Sequence, residues 1–252
     1  GDRETRPVSG LPEIHAGDDP AALIDDRFDF EGGDVLCLAS TVVSKAEGRK
    51  ADFSAFPPSE RAESIAERLE SITGESKDPR FAQAVIEESE ELLTDAPFLL
   101  AVTRFGHITV NAGIDRSNVP DADLLLLPED PSASAERLSE ALGVPVVVTD
   151  TSGRPFRYGQ RGVAVGWAGI PASRDWRGEF DRDGRELGVT VQSVVDELAG
   201  AANLVAGEGN DGTPAVVVRD WSFGDHAGSE ELFRREEDDI VREALRQWEF
   251  NG

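Results

Sequence analysis

The chain has 252 residues, enough to bury one large core or two smaller ones. Its 50 acidic against 25 basic residues leave a net charge of -25, which excludes a groove for nucleic-acid backbone, since that needs a basic stripe. A single cysteine excludes an intramolecular disulfide, and no apolar run approaches the roughly 18 residues of a membrane span.

The acids are spread along the whole chain, and only Lys45, Lys50 and Lys77 are lysines. Such a surface suits concentrated salt, where at ~1 M the screening length falls to ~3 Å and self-repulsion is damped. A halophilic cytoplasm accounts for the charge better than a basic partner, which would face one acidic block. No signal peptide opens the sequence, so a soluble, cytoplasmic protein is expected.

In chain order, a polar start leads to Gly10-Leu11-Pro12-Glu13-Ile14 and then Gly17-Asp18-Asp19-Pro20. This reads as an apolar segment passing into a helix near Asp19, with Ala22, Leu23 and Phe28 inward. The run 35–39 is a strand with Cys37 as core filler. Behind it come Ser40, Thr41 and Lys45, where a rare lysine among small hydroxyl side chains reads as a point charge for phosphate.

A helix is predicted over 58–74, capped by Ser59, with Ala62, Ile65, Ala66, Leu69 and Ile72 at helical spacing. A second is predicted over 80–93, its Glu87, Glu88, Glu90 and Glu91 forming a solvated face. Segments 98–103 and 108–110 read as a hairpin with His107 at its exposed turn. The polar turn that follows presents Asp115, a carboxylate at a strand exit. A short strand over 124–127 and a helix over 131–142, stopped by Gly143, precede the central stretch.

That stretch begins with the β-branched run 146–149 and closes with a second strand over 163–167. Asp150 and Thr151 at the first strand's exit are hard-oxygen donors suited to Mg²⁺ or Mn²⁺. Arg154, Arg157 and Arg161 in the loop either grip carboxylate or phosphate groups or pair with the abundant acids. A polar connection over 174–188 leads to a helix capped by Thr190, with Val191, Val194, Val195, Leu198 and Ala202 on one face. Then Gly207-Glu208-Gly209-Asn210-Asp211-Gly212 formally matches a dinucleotide fingerprint, but a helix precedes it and a strand follows, which is the wrong context. What survives is a glycine turn whose backbone N–H groups can approach phosphates, with Glu208 as a third metal-reaching acid. A closing helix is predicted over 229–248, with Ile240, Val241, Ala244, Leu245 and Trp248 on its apolar face.

Taken together and in order, the segments 10–14, 43–49, 111–119, 149–157 and 207–214 resemble the coenzyme F-420:L-glutamate ligase family, over nearly the whole chain. The resemblance implies an α+β fold of mixed sheets with packed helices, a two-part protomer and an intertwined homodimer. It implies one ligase unit over 1–252, with no fused C-terminal nitroreductase domain. It also implies a GTP-dependent, metal-dependent amide ligase that joins L-glutamate to the deglutamylated deazaflavin coenzyme, then adds further γ-linked glutamate.

Carried over by motif, Leu11, Pro12, Glu13, Ile14, Ser40, Thr41, Lys45, Asn118, Gly207, Gly209 and Gly212 are expected at GTP. Asp115, Asp150, Thr151 and Glu208 are expected to hold two Mg²⁺ or Mn²⁺ ions, with K⁺ as a further cation, and Lys45 and Asp150 to be catalytic. The chemistry coheres: phosphoryl transfer from GTP makes a carboxylate into an acyl phosphate open to attack by an amine. A metal-dependent GTP phosphohydrolase and a non-catalytic nucleotide-binding protein are the competing readings.

Overall fold

The computed structural model describes residues 2–116, 120–207 and 212–252. The chain starts with β1 (Glu4–Pro7), α1 (Pro20–Asp25), β2 (Val35–Ala39) and α2 (Ser40–Ala46). Next come β3 (Lys50–Ala51), α3 (Glu60–Thr73), α4 (Pro79–Glu87), β4 (Ser89–Thr94), β5 (Leu100–Thr103), β6 (Ile108–Val110) and β7 (Leu124–Leu125). Then follow α5 (Pro131–Leu142), β8 (Val146–Ser152), β9 (Arg161–Ala168), β10 (Ser173–Asp175), β11 (Val191–Ser193), α6 (Val194–Ala206), β12 (Ala215–Arg219), β13 (Ala227–Ser229) and α7 (Ile240–Gln247). The result is a mixed α+β fold in two compact units, Gly1–Glu47 with Asp130–Leu232 and Gly48–Glu129 with Phe233–Gly252.

The first unit is built on a five-stranded sheet of order β1-β12-β2-β8-β9. Only β2 and β8 run parallel; the other neighbours are antiparallel. The middle strands β12 and β2 and the first half of β8 are buried runs of Val, Leu and Cys, as expected of strands covered on both faces. At the sheet's edge β9 carries an extra residue, Val165, between the pairs Val148↔Gly166 and Thr149↔Ala164. This bulge reverses the alternation of side-chain direction along β9. Gly162 therefore faces α6, where a methyl group would lie 2.5 Å from the Ala199 carbonyl oxygen, and Gly166 faces the start of α5. A three-stranded antiparallel sheet, β11-β10-β13, completes the unit.

At Gly166 a methyl group would lie 2.3 Å from the Pro131 carbonyl carbon and 2.5 Å from the Ser132 nitrogen, both backbone atoms that cannot turn aside. Gly166→Ala is thus expected to destabilise by at least the ~1–3 kcal/mol of ordinary overpacking. Calorimetry that finds the melting temperature of Gly166→Ala unchanged would show that α5 is free to shift.

In the second unit α3 begins at Ser59, whose hydroxyl accepts the Ala62 N–H at 3.2 Å, and ends at Gly74 in the left-handed region. Its Ala62, Ile65 and Leu69 pack with Ala82, Ala84 and Val85 of α4 and with Leu99 and Ala101 beside and within β5. The sheet here is β4-β5-β6, antiparallel throughout, and β3 pairs with β7.

Several expectations are corrected. The helix predicted over 80–93 stops at Glu87, and Ser89–Thr94 pairs instead as a strand with β5. Glu88 and Glu91 are therefore not simply solvated: Glu88 meets Arg49 at 2.6 Å, and Glu91 meets Arg246 and Arg242 at 2.6 and 3.1 Å. His107 is buried, with its ring among those of Phe105 and Phe233. In α1 the inward residues are Ala21 and Ile24, whereas Ala22 is exposed. Residues 191–193 are a strand, so α6 starts after Ser193 and Thr190 does not cap it. The closing helix is only Ile240–Gln247, and the apolar face assigned to it is exposed at Ile240 and Val241.

What tethers α7 is charge. Hydrogen bonds from Arg246, against the cost of desolvation and joined by bonds from Arg242, pull the Glu91 carboxyl down to about 2. A depressed carboxyl stabilises the fold above its ordinary range and loses that contribution as pH falls from about 4.5 toward about 2. Amide exchange in α7 should therefore accelerate across that interval. Glu91→Gln should show the accelerated exchange already at neutral pH. Equal protection of α7 in the variant and the parent at pH 7 would place the tether elsewhere.

Candidate functional site

Four motif-bearing segments of the first unit meet at one end of its five-stranded sheet. The register Ala39↔Thr149 brings the end of β2 level with the second half of β8. Burial runs out at that level: Val146, Val147 and Val148 are inaccessible, while Thr149 to Ser152 are partly exposed. The Ala39 N–H donates to the Pro214 carbonyl at 2.8 Å, which brings the approach to β12 to the same place. Beyond β1, the Val8 N–H donates to the Ala215 carbonyl at 2.9 Å and starts the 10–14 segment there.

Ser40 and Thr41 lie in the first turn of α2, which leaves β2 without an intervening loop, and Lys45 lies in its last turn. Lys45 is mostly buried and its ammonium meets the exposed Glu13 carboxylate at 3.3 Å. Gly10 has φ +78 and its carbonyl accepts from Arg27 at 2.8 Å. Ile14 is buried and anchors the segment, whereas Pro12 and Glu13 stand in solvent. The Gly17 N–H donates to the Ala46 carbonyl at 2.9 Å, so the segment returns alongside the end of α2.

The glycine turn is pinned at its shoulders. Gly207 N–H donates to Asn203 and Thr213 N–H donates to Ala206, at 3.2 and 2.9 Å. A methyl group on Gly207, at φ +73, would touch the Gly212 Cα at 4.0 Å. Glu208 and Gly209 of this turn, and Asn118, lie outside the described residues.

Asp150 and Thr151 are not beyond β8, as the sequence suggested, but within it, opposite Val163 and Gly162 of β9. Adjacent strand residues project to opposite faces, so one ion cannot readily take both side chains. Asp115 stands in the second unit, where its backbone exchanges hydrogen bonds with Leu125 at 3.0 and 2.9 Å. Among the described residues, no three Asp, Glu, His or Cys side chains gather as a metal-ligand group. Within the first unit, then, the structure unites Leu11, Pro12, Glu13, Ile14, Ser40, Thr41, Lys45, Asp150, Thr151, Gly207 and Gly212 on neighbouring elements.

Other residues beside these segments are architectural. Glu47 accepts from the Ser134 hydroxyl at 2.6 Å and from Arg137 at 3.2 Å, fixing the exit of α2 to α5. Arg49 donates to the Leu127 carbonyl at 2.8 Å as well as to Glu88, and borders a cavity in the second unit with Phe56, Thr103, Arg104 and Phe105. Nothing in the sequence pointed to that cavity, because its walls come from six separate stretches. Cys37 is fully buried and burial pushes its thiol up to about 12, which removes it as a nucleophile. No described helix is long and apolar enough to cross a membrane.

The family model described as F420-0:Gamma-glutamyl ligase matches residues 10–220. A coenzyme F420:L-glutamate ligase of Natronomonas pharaonis is 82% identical over 249 residues, 99% of this chain and 98% of that protein. Those of Halorubrum lacusprofundi and Archaeoglobus fulgidus are 71% and 51% identical, each covering 97% of this chain and 98% of the relative. Fold, motif placement and these likenesses define an amide-forming ligase. The chain belongs to the F420-0:gamma-glutamyl ligase family. The halophilic archaea among its relatives fit the acidic, lysine-poor composition.

Proposed function

We propose that the chain joins L-glutamate to the deglutamylated coenzyme F420 at the expense of GTP, and then adds further glutamate through γ-linkages. The names of the relatives support the substrates, and the meeting of segments 10–14, 40–45 and 149–152 with Gly207 and 212–214 at one sheet end supports a single site. That meeting carries the reading.

The chemistry starts with a carboxylate oxygen of the coenzyme attacking the γ-phosphorus, with GDP leaving. The glutamate amine then attacks the acyl carbon, phosphate departs, and the amine gives up a proton. Lys45 supplies a point charge to phosphate once its ammonium exchanges Glu13 for the nucleotide. Ser40 and Thr41, in the first turn of α2, and the glycine turn that follows Gly207 are assigned to the phosphate oxygens. Asp150 and Thr151 are hard-oxygen donors that fit Mg²⁺ or Mn²⁺, and their opposite directions on β8 favour two ions over one. Glu208, outside the described residues, belongs to the proposed set, and K⁺ is a further cation. The ions supply neutralisation of the phosphates, which a chain of net charge -25 would otherwise repel. The enzyme works as a cytoplasmic homodimer, a state supported by the exposed Ile240 and Val241 on α7.

The test is an incubation of the chain in concentrated KCl with Mn²⁺, GTP, L-glutamate and the deglutamylated coenzyme, read by mass spectrometry. A deazaflavin product heavier by one or more glutamyl units, formed only with GTP, is expected. GTP hydrolysis with no glutamyl product would replace the ligase by a phosphohydrolase, and silence in both from folded protein would leave neither.

A further inference from the structure

The hairpin between β8 and β9 carries charge of the wrong sign for this protein. Its last strand pair is Ser152↔Arg161, and the stretch SGRPFRYGQRG over 152–162 contains three arginines and no acid, in a chain with a twofold excess of acids. Some arginines elsewhere, among them Arg6, Arg49, Arg80, Arg177, Arg219 and Arg246, lie in ion pairs, whereas others, such as Arg27 and Arg174, bond to backbone carbonyls. Arg154 donates only to the Gly159 carbonyl, at 3.1 Å, and among the described residues neither Arg157 nor Arg161 has a carboxylate partner.

Two aromatic side chains share the tip. Phe156 and Tyr158 are fully exposed, and Phe156 holds φ +68, a region a bulky residue rarely enters. Guanidinium forks match carboxylate and phosphate oxygens in pairs, and ring faces stack on planar heterocycles. Stacking does not weaken with ionic strength as long-range charge attraction does, so the combination suits concentrated salt. The tip also continues the strand that carries Asp150 and Thr151. At about 3.3 Å per residue, a ligand of roughly 20 Å reaches from those residues to Arg157.

We infer that Arg154, Phe156, Arg157, Tyr158 and Arg161 form the grip for the acceptor substrate, the forks taking its anionic oxygens, carboxylate among them, and the rings its planar deazaflavin head. This rests on the ligase reading above. None of the segments assigned to GTP falls within 153–161, which separates the two ligands.

Two variants of the full chain test it: R154A/R157A/R161A and F156A/Y158A. The tip side chains are solvent-exposed, so both should fold. Affinity for the deglutamylated coenzyme is read by its own fluorescence anisotropy, affinity for GTP by calorimetry, and mass by light scattering, all in concentrated KCl. The dissociation constant for the coenzyme should rise about tenfold or more in each variant, with that for GTP changed less than about twofold. Unchanged coenzyme affinity overturns the inference, and so does an equal loss of GTP affinity. A change of oligomeric mass with coenzyme affinity intact overturns it in favour of a tip that faces a second copy. Failure of the unaltered chain to bind the coenzyme would sink the ligase reading itself, whereas binding by the parent and variants alike sinks only the grip.

Discussion

Asp150→Asn is expected to lower glutamyl-product formation by about 10²-fold or more while leaving the fold intact. The side chain stands where β8 emerges from the core, after three inaccessible valines, and is itself only partly buried. Asparagine keeps the shape and one acceptor oxygen but removes the charge that would fix a divalent cation against phosphate. The loss should therefore appear in turnover, measured by mass spectrometry, with the melting temperature shifted by only a few degrees. Turnover within about tenfold of the parent would remove Asp150 from the site. Extra Mn²⁺ should recover part of the activity if the defect is metal affinity.

The largest loss of stability is expected at Asp34, on the opposite side of the first unit's chemistry. Its carboxylate is inaccessible and receives two bonds from the Arg219 guanidinium, at 3.0 and 2.9 Å, plus the Glu31 N–H at 2.8 Å. Arg219 also donates to the Asp29 carbonyl at 3.0 Å and lies 5.2 Å from the Phe28 ring centre. Burial by itself disfavours the Asp34 charge, but the Arg219 and Glu31 bonds outweigh it and hold the carboxyl below its ordinary range. The pair thus stabilises the fold above that range and ceases to do so as pH falls through the depressed value.

Asp34→Ala would leave the enclosed guanidinium with only the exposed Glu31 carboxylate, at 3.1 Å, and the Asp29 carbonyl, at a cost approaching about 3–5 kcal/mol. For a chain of this size that corresponds to a melting temperature lower by roughly 10 °C. Replacing both partners by apolar residues of similar volume should restore much of the loss, because the desolvation penalty disappears with the charges. A double variant as unstable as Asp34→Ala would show that packing, not the unpaired charge, sets the cost.

The sequence by itself determined what depends on neighbouring residues. The helix 131–142 was legible from Pro131 and Gly143, α3 from Ser59 and its apolar spacing, and β2 and β12 from β-branched and apolar runs. Family membership was legible too, because it rests on the order of short motifs, which the match over 10–220 bears out. Tertiary structure decided wherever a local pattern fitted two answers. Phe81, Ala84, Val85 and Leu92 suit a continuous helix, but β5 offers residues 89–94 a ladder of hydrogen bonds that no helix over the same residues can have. The amphipathic pattern after 229 suits a long helix, yet 227–229 pairs with β10 and only Ile240–Gln247 remains helical. His107 looked like a surface residue until Phe105 and Phe233, from distant parts of the sequence, enclosed it. The unpaired arginines of the hairpin were visible as residues but not as unpaired. Caps and periodicity act over a few residues, whereas partners, burial and the absence of a counter-charge exist only once remote segments meet.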